Sequence, residues 1–98
     1  MVVCSVTVVP LGTGSPSLSR FVAKSLRVLE ESGVKYQLTP MATVIEGELD
    51  EVLAVAAKMH SSLFSDEVVR VSTTIKIDER RDKKLTMNGK VGAVKSKL

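Results

Sequence analysis

The stretch VVCSVTVVPLGTGSPSLSRFVAKSLRVLEESGVKYQLT, residues 2 to 39, holds a strand, a helix and a second strand in succession. Val2 to Val9 is rich in β-branched residues and has one apolar and one mixed face, which predicts a strand. Pro10 is expected to end that strand. Ser15 followed by Pro16 has the chemistry of a helix N-cap and a first helical residue. The sequence therefore predicts that a helix begins there.

The rest of the chain continues and then repeats this layout. Apolar residues at helical spacing extend the first helix: Leu18, Phe21, Val22, Leu26 and Leu29. Alternation over Val34 to Thr39 predicts a half-buried strand, and Pro40 and Met41 follow as a turn. The second half has a short strand over Ala42 to Glu46 and a long one over Val68 to Asp78. Between them lies a second helical stripe: Leu49, Val52, Leu53, Ala56, Met59, His60 and Leu63.

Two successive β-α-β units predict an α+β domain with the ferredoxin-like βαββαβ fold, spanning residues 1 to 98. Its two right-handed crossovers place both helices on one face of a four-stranded antiparallel sheet. The other face is predicted to be uncovered, and it carries Ser5, Thr7, Val9, Arg70, Ser72 and Thr74. Because natural proteins cover or pair such surfaces, we predict self-association through the sheet. Residues 82 to 98 are expected to form a short, marginal C-terminal helix that needs a partner surface, since Gly89 and Gly92 weaken it.

The composition is that of an ordinary globular protein, with 44% hydrophobic and 26% charged residues. Cys4 is the single cysteine, no Cys/His cluster offers a metal site, and neither a signal peptide nor a membrane-spanning run is recognisable. We therefore expect a cytoplasmic protein. The excess of basic residues falls after Glu79, but nucleic-acid binding is disfavoured. Phe21 and Phe64 both belong to helices, so the open sheet face lacks aromatic rings for base stacking.

Few residues are candidates for ligand binding or catalysis. The loop GTGSPSLS, residues 12 to 19, combines hydroxyls with backbone N–H groups at a helix start, so it fits either a bound anion or polar ligand, or a plain turn and cap. Glu46 ends a short strand, where it either pairs with Arg70 or recognises a cation or an aminopyrimidine edge. His60 and Cys4 give little support for nucleophilic catalysis, since no partner lies beside the histidine and the thiol lies in an apolar face.

Four segments together resemble the small thiamine-binding proteins of the YkoF-like group. They are VVPLGTGSPSLSRFVA (Val8 to Ala23), MATVIEGELDEVL (Met41 to Leu53), VVRVSTTIKIDERRD (Val68 to Asp82) and TMNGKVGAV (Thr86 to Val94). The resemblance implies a ferredoxin-like fold that assembles as dimers and dimer-of-dimers tetramers, in which sheets meet. It also implies binding of thiamine or its hydroxymethylpyrimidine moiety, with no established catalytic activity and no cofactor.

The leading hypothesis is therefore a homo-oligomeric, non-enzymatic protein that binds thiamine or a pyrimidine. Its pocket is expected between the open sheet face and the start of the first helix, in the same or a neighbouring subunit. Glu46 would meet the aminopyrimidine or offset the thiazolium charge. Thr43, Ser17 and Ser19 would form hydrogen bonds, and Tyr36 would stack on a ring.

Two other classes remain open. Acylphosphatases share the topology and hold phosphate at a helix start, but they need an Arg in that loop and an Asn that positions water. This loop has no Arg, and Asn88, the only Asn, lies in the tail. The third class is a structural or regulatory oligomer without a small ligand.

Overall fold

The computed structural model describes residues 1 to 98 and contains four strands and three helices. Their order is β1 (Val2–Leu11), α1 (Ser19–Ser32), β2 (Lys35–Leu38), β3 (Thr43–Gly47), α2 (Leu49–Ser62), β4 (Arg70–Asp78) and α3 (Met87–Lys95). The strands form one antiparallel sheet in the order β2-β3-β1-β4. The predicted ferredoxin-like fold with a C-terminal helix is confirmed. None of the helices has the length and apolar character needed to cross a membrane.

The pleat of β1 decides which side chains form the core. Val6 lies opposite Thr43 of β3 and Ile75 of β4, and its side chain points toward α1 and α2. Alternate residues of β1 share that face, since side chains alternate along a strand. The core consists of Val2, Cys4, Val6, Val8, Phe21, Leu29, Ile45, Val52, Val55, Ala56, Met59, Leu63 and Val68. Removal of these apolar side chains from water is the main force that holds both helices on the sheet.

Two sequence predictions about the connection between β1 and α1 are wrong. Pro10 lies inside β1, opposite Val71, and does not end the strand. Beyond Val6, β1 has no neighbour on its β3 side. The lack of an N–H on Pro10 therefore costs no hydrogen bond to β3. The helix begins at Ser19 and not at Pro16.

Hydroxyl groups within the loop explain the later helix start. Ser15 Oγ accepts a hydrogen bond from Ser17 N–H at 3.2 Å, and Thr13 Oγ1 donates to the Ser15 carbonyl at 3.0 Å. Such local bonds offer the backbone an alternative to the helix. Gly12 and Gly14 have φ values of 78° and 75°, which favour glycine. The loop is thus a series of turns, and α1 begins only after it, at Ser19.

The sheet face away from α1 and α2 is covered at one end, which corrects the prediction that it is bare. Leu85 and Met87 are buried against Val3, and the half-buried Val44 packs against them. The partner surface that the tail was expected to need is therefore the chain's own sheet. The rest of this face, around Thr74, stays exposed.

Candidate ligand-binding site

A cleft opens at the end of the sheet where β1 continues beyond its partner β3. The β1–β3 ladder stops at the pair Val6 and Thr43, so residues 7 to 9 have no strand neighbour on that side. The start of α1 and the turn between β2 and β3 form the other walls. The cleft has a volume of about 260 Å³, slightly below the roughly 300 to 1,000 Å³ of most small-molecule sites. It can therefore hold a small ring compound or one end of a larger ligand.

One threonine holds the turn between β2 and β3. Thr39 Oγ1 donates to the Ala42 carbonyl at 2.7 Å and accepts from Ala42 N–H at 3.1 Å. Pro40 and Met41 form the tip of this turn, and the Met41 side chain is 86% exposed. Since methionine adapts its shape to apolar partners, the turn gives the cleft a pliable apolar rim.

The cleft is mostly apolar, and no charged side chain lines it. Its walls are formed by Val6, Thr7, Val8, Val9, Leu18, Val22, Ser25, Leu38, Thr39, Pro40, Met41, Ala42 and Thr43. The hydroxyls of Ser25 and Thr39 already donate to backbone carbonyls. The Thr43 hydroxyl makes no hydrogen bond within the chain. Because every buried side-chain polar atom has a hydrogen-bond partner, this hydroxyl is accessible to solvent, and Thr43 lines the cleft. The site thus offers the Thr43 hydroxyl and an unpaired stretch of backbone to a neutral ligand.

Three of the five predicted ligand-binding residues lie around this end of the sheet. Thr43 lines the cleft itself. Ser19 lines an adjoining depression between α1 and the turn, which shares Leu38 with the cleft. Ser17 is exposed in the loop that leads into α1. The structure therefore places Thr43 inside the cleft and Ser19 in the adjoining depression, whereas Ser17 lines neither.

Tyr36 lies outside the cleft, on β2 beside α1. Its ring packs against the main core, and its hydroxyl donates to Glu30 Oε1 at 3.2 Å. Desolvation, together with the nearby Glu30 carboxylate and its hydrogen bond, raises the pKa of Tyr36. The hydroxyl therefore stays neutral and links β2 to α1.

Glu46 faces the opposite side of the sheet from Thr43, beneath α3. Its side chain is only 4% exposed, and its Oε1 lies 3.0 Å from Lys35 Nζ. Its Oε2 accepts a hydrogen bond from Met87 N–H at 3.2 Å. The ion pair with Arg70 that the sequence left open does not form, because Arg70 lies opposite Leu11 near the other end of the sheet. The carboxylate instead fastens α3 to the sheet.

Sequence reasoning missed most of the apolar wall. Leu18 and Val22 were assigned only to the buried stripe of the helix, and Leu38 only to a strand. One signal was available: Met41 is a large apolar residue at the tip of a turn, where small and polar residues are usual.

His60 and Cys4 both lie away from the cleft. His60 Nδ1 is 2.6 Å from Thr73 Oγ1, and its ring meets Phe64 edge to face. Cys4 is buried in the core, and this burial raises the pKa of its thiol. No group of three or more His, Cys, Asp or Glu side chains is close enough together to hold a metal ion.

Sequence comparison aligns nearly the whole chain with a family model and with curated relatives. Residues 4 to 95 match the family model described as thiamine-binding protein. The UPF0045 protein YqgV of Bacillus subtilis is 45% identical, over 100% of this chain and 98% of that protein. The UPF0045 protein MJ1052 of Methanocaldococcus jannaschii is 41% identical, over 95% of this chain and 91% of that one.

Solved structures share the fold. The crystal structure of MJ1052 superposes with a TM-score of 0.89 at 39% identity, covering 96% of this chain and 95% of that chain. TM0486 of Thermotoga maritima, described as a candidate thiamine biosynthesis/salvage protein, gives a TM-score of 0.78 at 24% identity, with 95% and 97% covered. This second likeness concerns the fold alone. With a family match and high identity along nearly its whole length, the chain belongs to the thiamine-binding protein family.

Proposed function

We propose that this protein binds thiamine, or the hydroxymethylpyrimidine moiety of thiamine, without converting it chemically. The observation that carries the proposal is the uncharged, apolar cleft into which the Thr43 hydroxyl opens. A pyrimidine ring is flat and neutral, with hydrogen-bonding atoms only at its edge, whereas the cationic thiazolium ring of thiamine would stay outside this uncharged cleft, in contact with water at its mouth. The pyrimidine ring suits apolar walls that carry a few polar groups. Family membership supports the same ligand.

Each predicted site residue has a place in this proposal. Thr43 would bond the edge of the pyrimidine, while Ser19 and Ser17 would meet the part of the ligand that extends from the mouth. Tyr36 and Glu46 act from outside the cleft: Tyr36 holds β2 against α1, and Glu46 holds α3 on the far face.

The absence of charged side chains from the cleft favours binding of a neutral ring over phosphoryl transfer. A phosphate in this cleft would lose water without gaining a cationic partner, which is costly for a charged group. Asn88 lies in α3, on the opposite side of the sheet from the loop of residues 12 to 19. The acylphosphatase arrangement therefore has no support in this geometry.

Self-association in the cytoplasm, as a dimer or a dimer of dimers, completes the proposal. The exposed part of the sheet face beside α3 and the apolar rim at Met41 are surfaces that a second copy can cover. The free, buried Cys4 suits a reducing compartment.

Isothermal titration calorimetry with thiamine, hydroxymethylpyrimidine and inorganic phosphate tests the ligand. We expect heat from the first two and none from phosphate. Thr43→Val should weaken binding by about fivefold, the loss of one hydrogen bond. Ser61→Ala, at an exposed position of α2, is the control and should change nothing.

Met41→Ala provides a second variant whose folding is not in question, because the side chain is exposed. It should weaken binding by removing apolar contact, whereas Val94→Ala, exposed on α3, should not. Absence of heat with either compound at millimolar concentration would contradict ligand binding. An intact oligomer without ligand would then favour the structural or regulatory alternative.

A further inference from the structure

The backbone of β1 has a free edge where the strand borders the cleft. Val6, Thr7, Val8 and Val9 all line the cleft, although successive side chains of a strand point to opposite faces of the sheet. The cleft therefore meets the strand at its edge, where the backbone N–H and C=O groups lie. Along an antiparallel ladder these groups point to one side and then the other at successive residues, so only some of the four point them into the cleft.

The turn between β2 and β3 decides which residues these are. Thr39 N–H donates to the Ala42 carbonyl at 2.9 Å, so the backbone groups of Ala42 face β2. Alternation along the strand then turns those of the next residue, Thr43, toward β1. Thr43 lies opposite Val6, and the ladder between β1 and β4 runs without a bulge. Val6 and every second residue after it therefore point their N–H and C=O groups to the β3 side.

Val8 is the residue that brings a complete pair of groups to the cleft. It lies two positions beyond Val6, and its N–H and C=O have no hydrogen-bond partner because the β1–β3 ladder stops at Val6. Pro10, the next residue on the same edge, has no N–H, and a proline in a sheet normally turns its nitrogen to an unpaired side. Val8 is buried, and a buried backbone group without a partner is costly. A ligand that satisfies both groups is therefore favoured.

We infer that Val8 recognises the ligand through its backbone, and that the ligand class is a flat nitrogen ring with an amino group beside a ring nitrogen. The Val8 N–H donates to the ring nitrogen, and the amino group donates to the Val8 carbonyl. A residue in a neighbouring antiparallel strand exchanges the same two bonds, so the ring takes the place where β3 is absent. The Thr43 hydroxyl remains for another polar atom of the ring.

This inference deepens the proposed function and rests on it, because it names the group that selects the ring. The aminopyrimidine of thiamine has such an edge, with an amino group next to a ring nitrogen. A ring without the amino group leaves the Val8 carbonyl unpaired in an apolar cleft, which is unfavourable. Selection for the amino group thus comes from a residue whose side chain has no polar atom.

Amide hydrogen exchange in the ligand-free protein tests the orientation of the backbone. The N–H groups of Thr7 and Val9 face β4 and belong to its ladder, whereas the N–H of Val8 is free. We expect the Val8 amide to exchange about tenfold faster than the other two, because exchange requires an open hydrogen bond. Equal protection of the three amides would overturn the inference.

Titration of the wild-type protein with hydroxymethylpyrimidine, followed by amide NMR, tests the two bonds. The Val8 amide proton should shift downfield and exchange more slowly, while Thr7 and Val9 keep their rates. The matched ligand is the same pyrimidine without its amino group, which should bind about tenfold more weakly. Equal affinity of the two compounds would contradict recognition by the Val8 carbonyl.

Val8→Pro removes the N–H from the protein itself. The β1–β4 ladder does not use this N–H, and the strand already holds Pro10 on the same edge. Val8→Ala is the matched control, since it also loses side-chain contacts in the core but keeps the N–H. In calorimetry, Val8→Pro should bind hydroxymethylpyrimidine about tenfold more weakly than Val8→Ala.

The outcomes separate this inference from the proposed function. If the wild-type protein binds hydroxymethylpyrimidine, but the Val8 amide does not respond and the two folded variants bind equally, backbone recognition is wrong while ligand binding stands. If the wild-type protein gives no heat with hydroxymethylpyrimidine or thiamine, the proposed function fails and this inference fails with it. The NMR measurements use the wild-type protein, so they decide the matter even where the proline variant does not fold.

Discussion

The two faces of the sheet are stabilised in different ways. On the helix face, α1 and α2 cover a continuous apolar core that includes Leu29 and Ile45. On the other face, α3 covers one end through a small cluster of Val3, Leu85 and Met87. That cluster is joined to a buried carboxylate, Glu46, which binds the first backbone N–H of α3.

The difference shows how a short, glycine-containing helix can dock in one place. A broad apolar core tolerates small shifts, because the hydrophobic effect has no direction. A carboxylate hydrogen bond has one geometry and is costly to leave unmade. The helix face gives most of the stability, and Glu46 fixes the position of α3.

The largest expected effect lies in the main core. Leu29→Ala removes a fully buried side chain and should lower the free energy of unfolding by about 2 to 5 kcal/mol in urea denaturation. Leu98→Ala, at a position 96% exposed, should change it by no more than about 0.5 kcal/mol. Equal effects of the two variants would mean that the helix face does not dominate the stability.

Replacement of Glu46 tests the polar attachment of α3. Glu46→Leu leaves the buried Met87 N–H without an acceptor and should cost about 1 to 3 kcal/mol. Hydrogen exchange should become faster in residues 87 to 95 and not in α1. Glu46→Gln retains an acceptor and should cost less.

The same Glu46→Gln variant separates the two roles considered for this residue. It should leave thiamine binding unchanged, since the cleft lies on the other face. A loss of affinity with α3 still protected would show that the carboxylate touches the ligand.

Two glycines of α3 should respond differently to replacement by alanine. Gly92→Ala has open space around the new Cβ and should stabilise the protein by about 0.5 to 1 kcal/mol. Gly89→Ala would place its Cβ 2.8 Å from Thr86 Oγ1, which caps this helix through Gly89 N–H. We expect this change to bring no gain. Thermal unfolding of both variants checks the pair, and equal stabilisation would show that the cap adapts.

The smallest expected effect concerns the stability of the fold at low pH. The hydrogen bond from Lys90 is the main cause that lowers the pKa of Asp78 below its ordinary value of 3.8, with help from the Lys90 charge. Because the folded-state pKa is depressed, this contact stabilises the fold above the ordinary pKa. The contribution is lost as pH falls through the lower folded-state value.

Carboxyl NMR titration of Asp78 should show the low midpoint in the wild-type protein. Lys90→Met should move it upward and reduce the loss of stability below about pH 4. Lys95→Met, which removes an exposed lysine from the same helix, should leave it in place. An unchanged Asp78 midpoint in the Lys90 variant would rule out the contact.

Local sequence signals were sufficient for the order of elements and for the fold. The alternation over Val2 to Val9 and the helical stripe up to Leu29 depend only on residues that are close together in the chain, so they can be recognised from the sequence. The same signals failed at Pro10 and Ser15. Whether proline fits a strand depends on which neighbouring strand is present, and a serine hydroxyl can serve a turn as readily as a helix cap.

For the site, the sequence determined the residue types, but only the tertiary structure decided which of them meet. Thr43 and Glu46 lie three residues apart in β3, so the pleat sends them to opposite faces. Thr43 opens into a cleft because β3 begins at Thr43 while the antiparallel β1 continues past it, and Glu46 is buried because α3 packs over it. Both outcomes depend on contacts between segments that are distant in the chain, and the local pattern around either residue carries no record of those contacts.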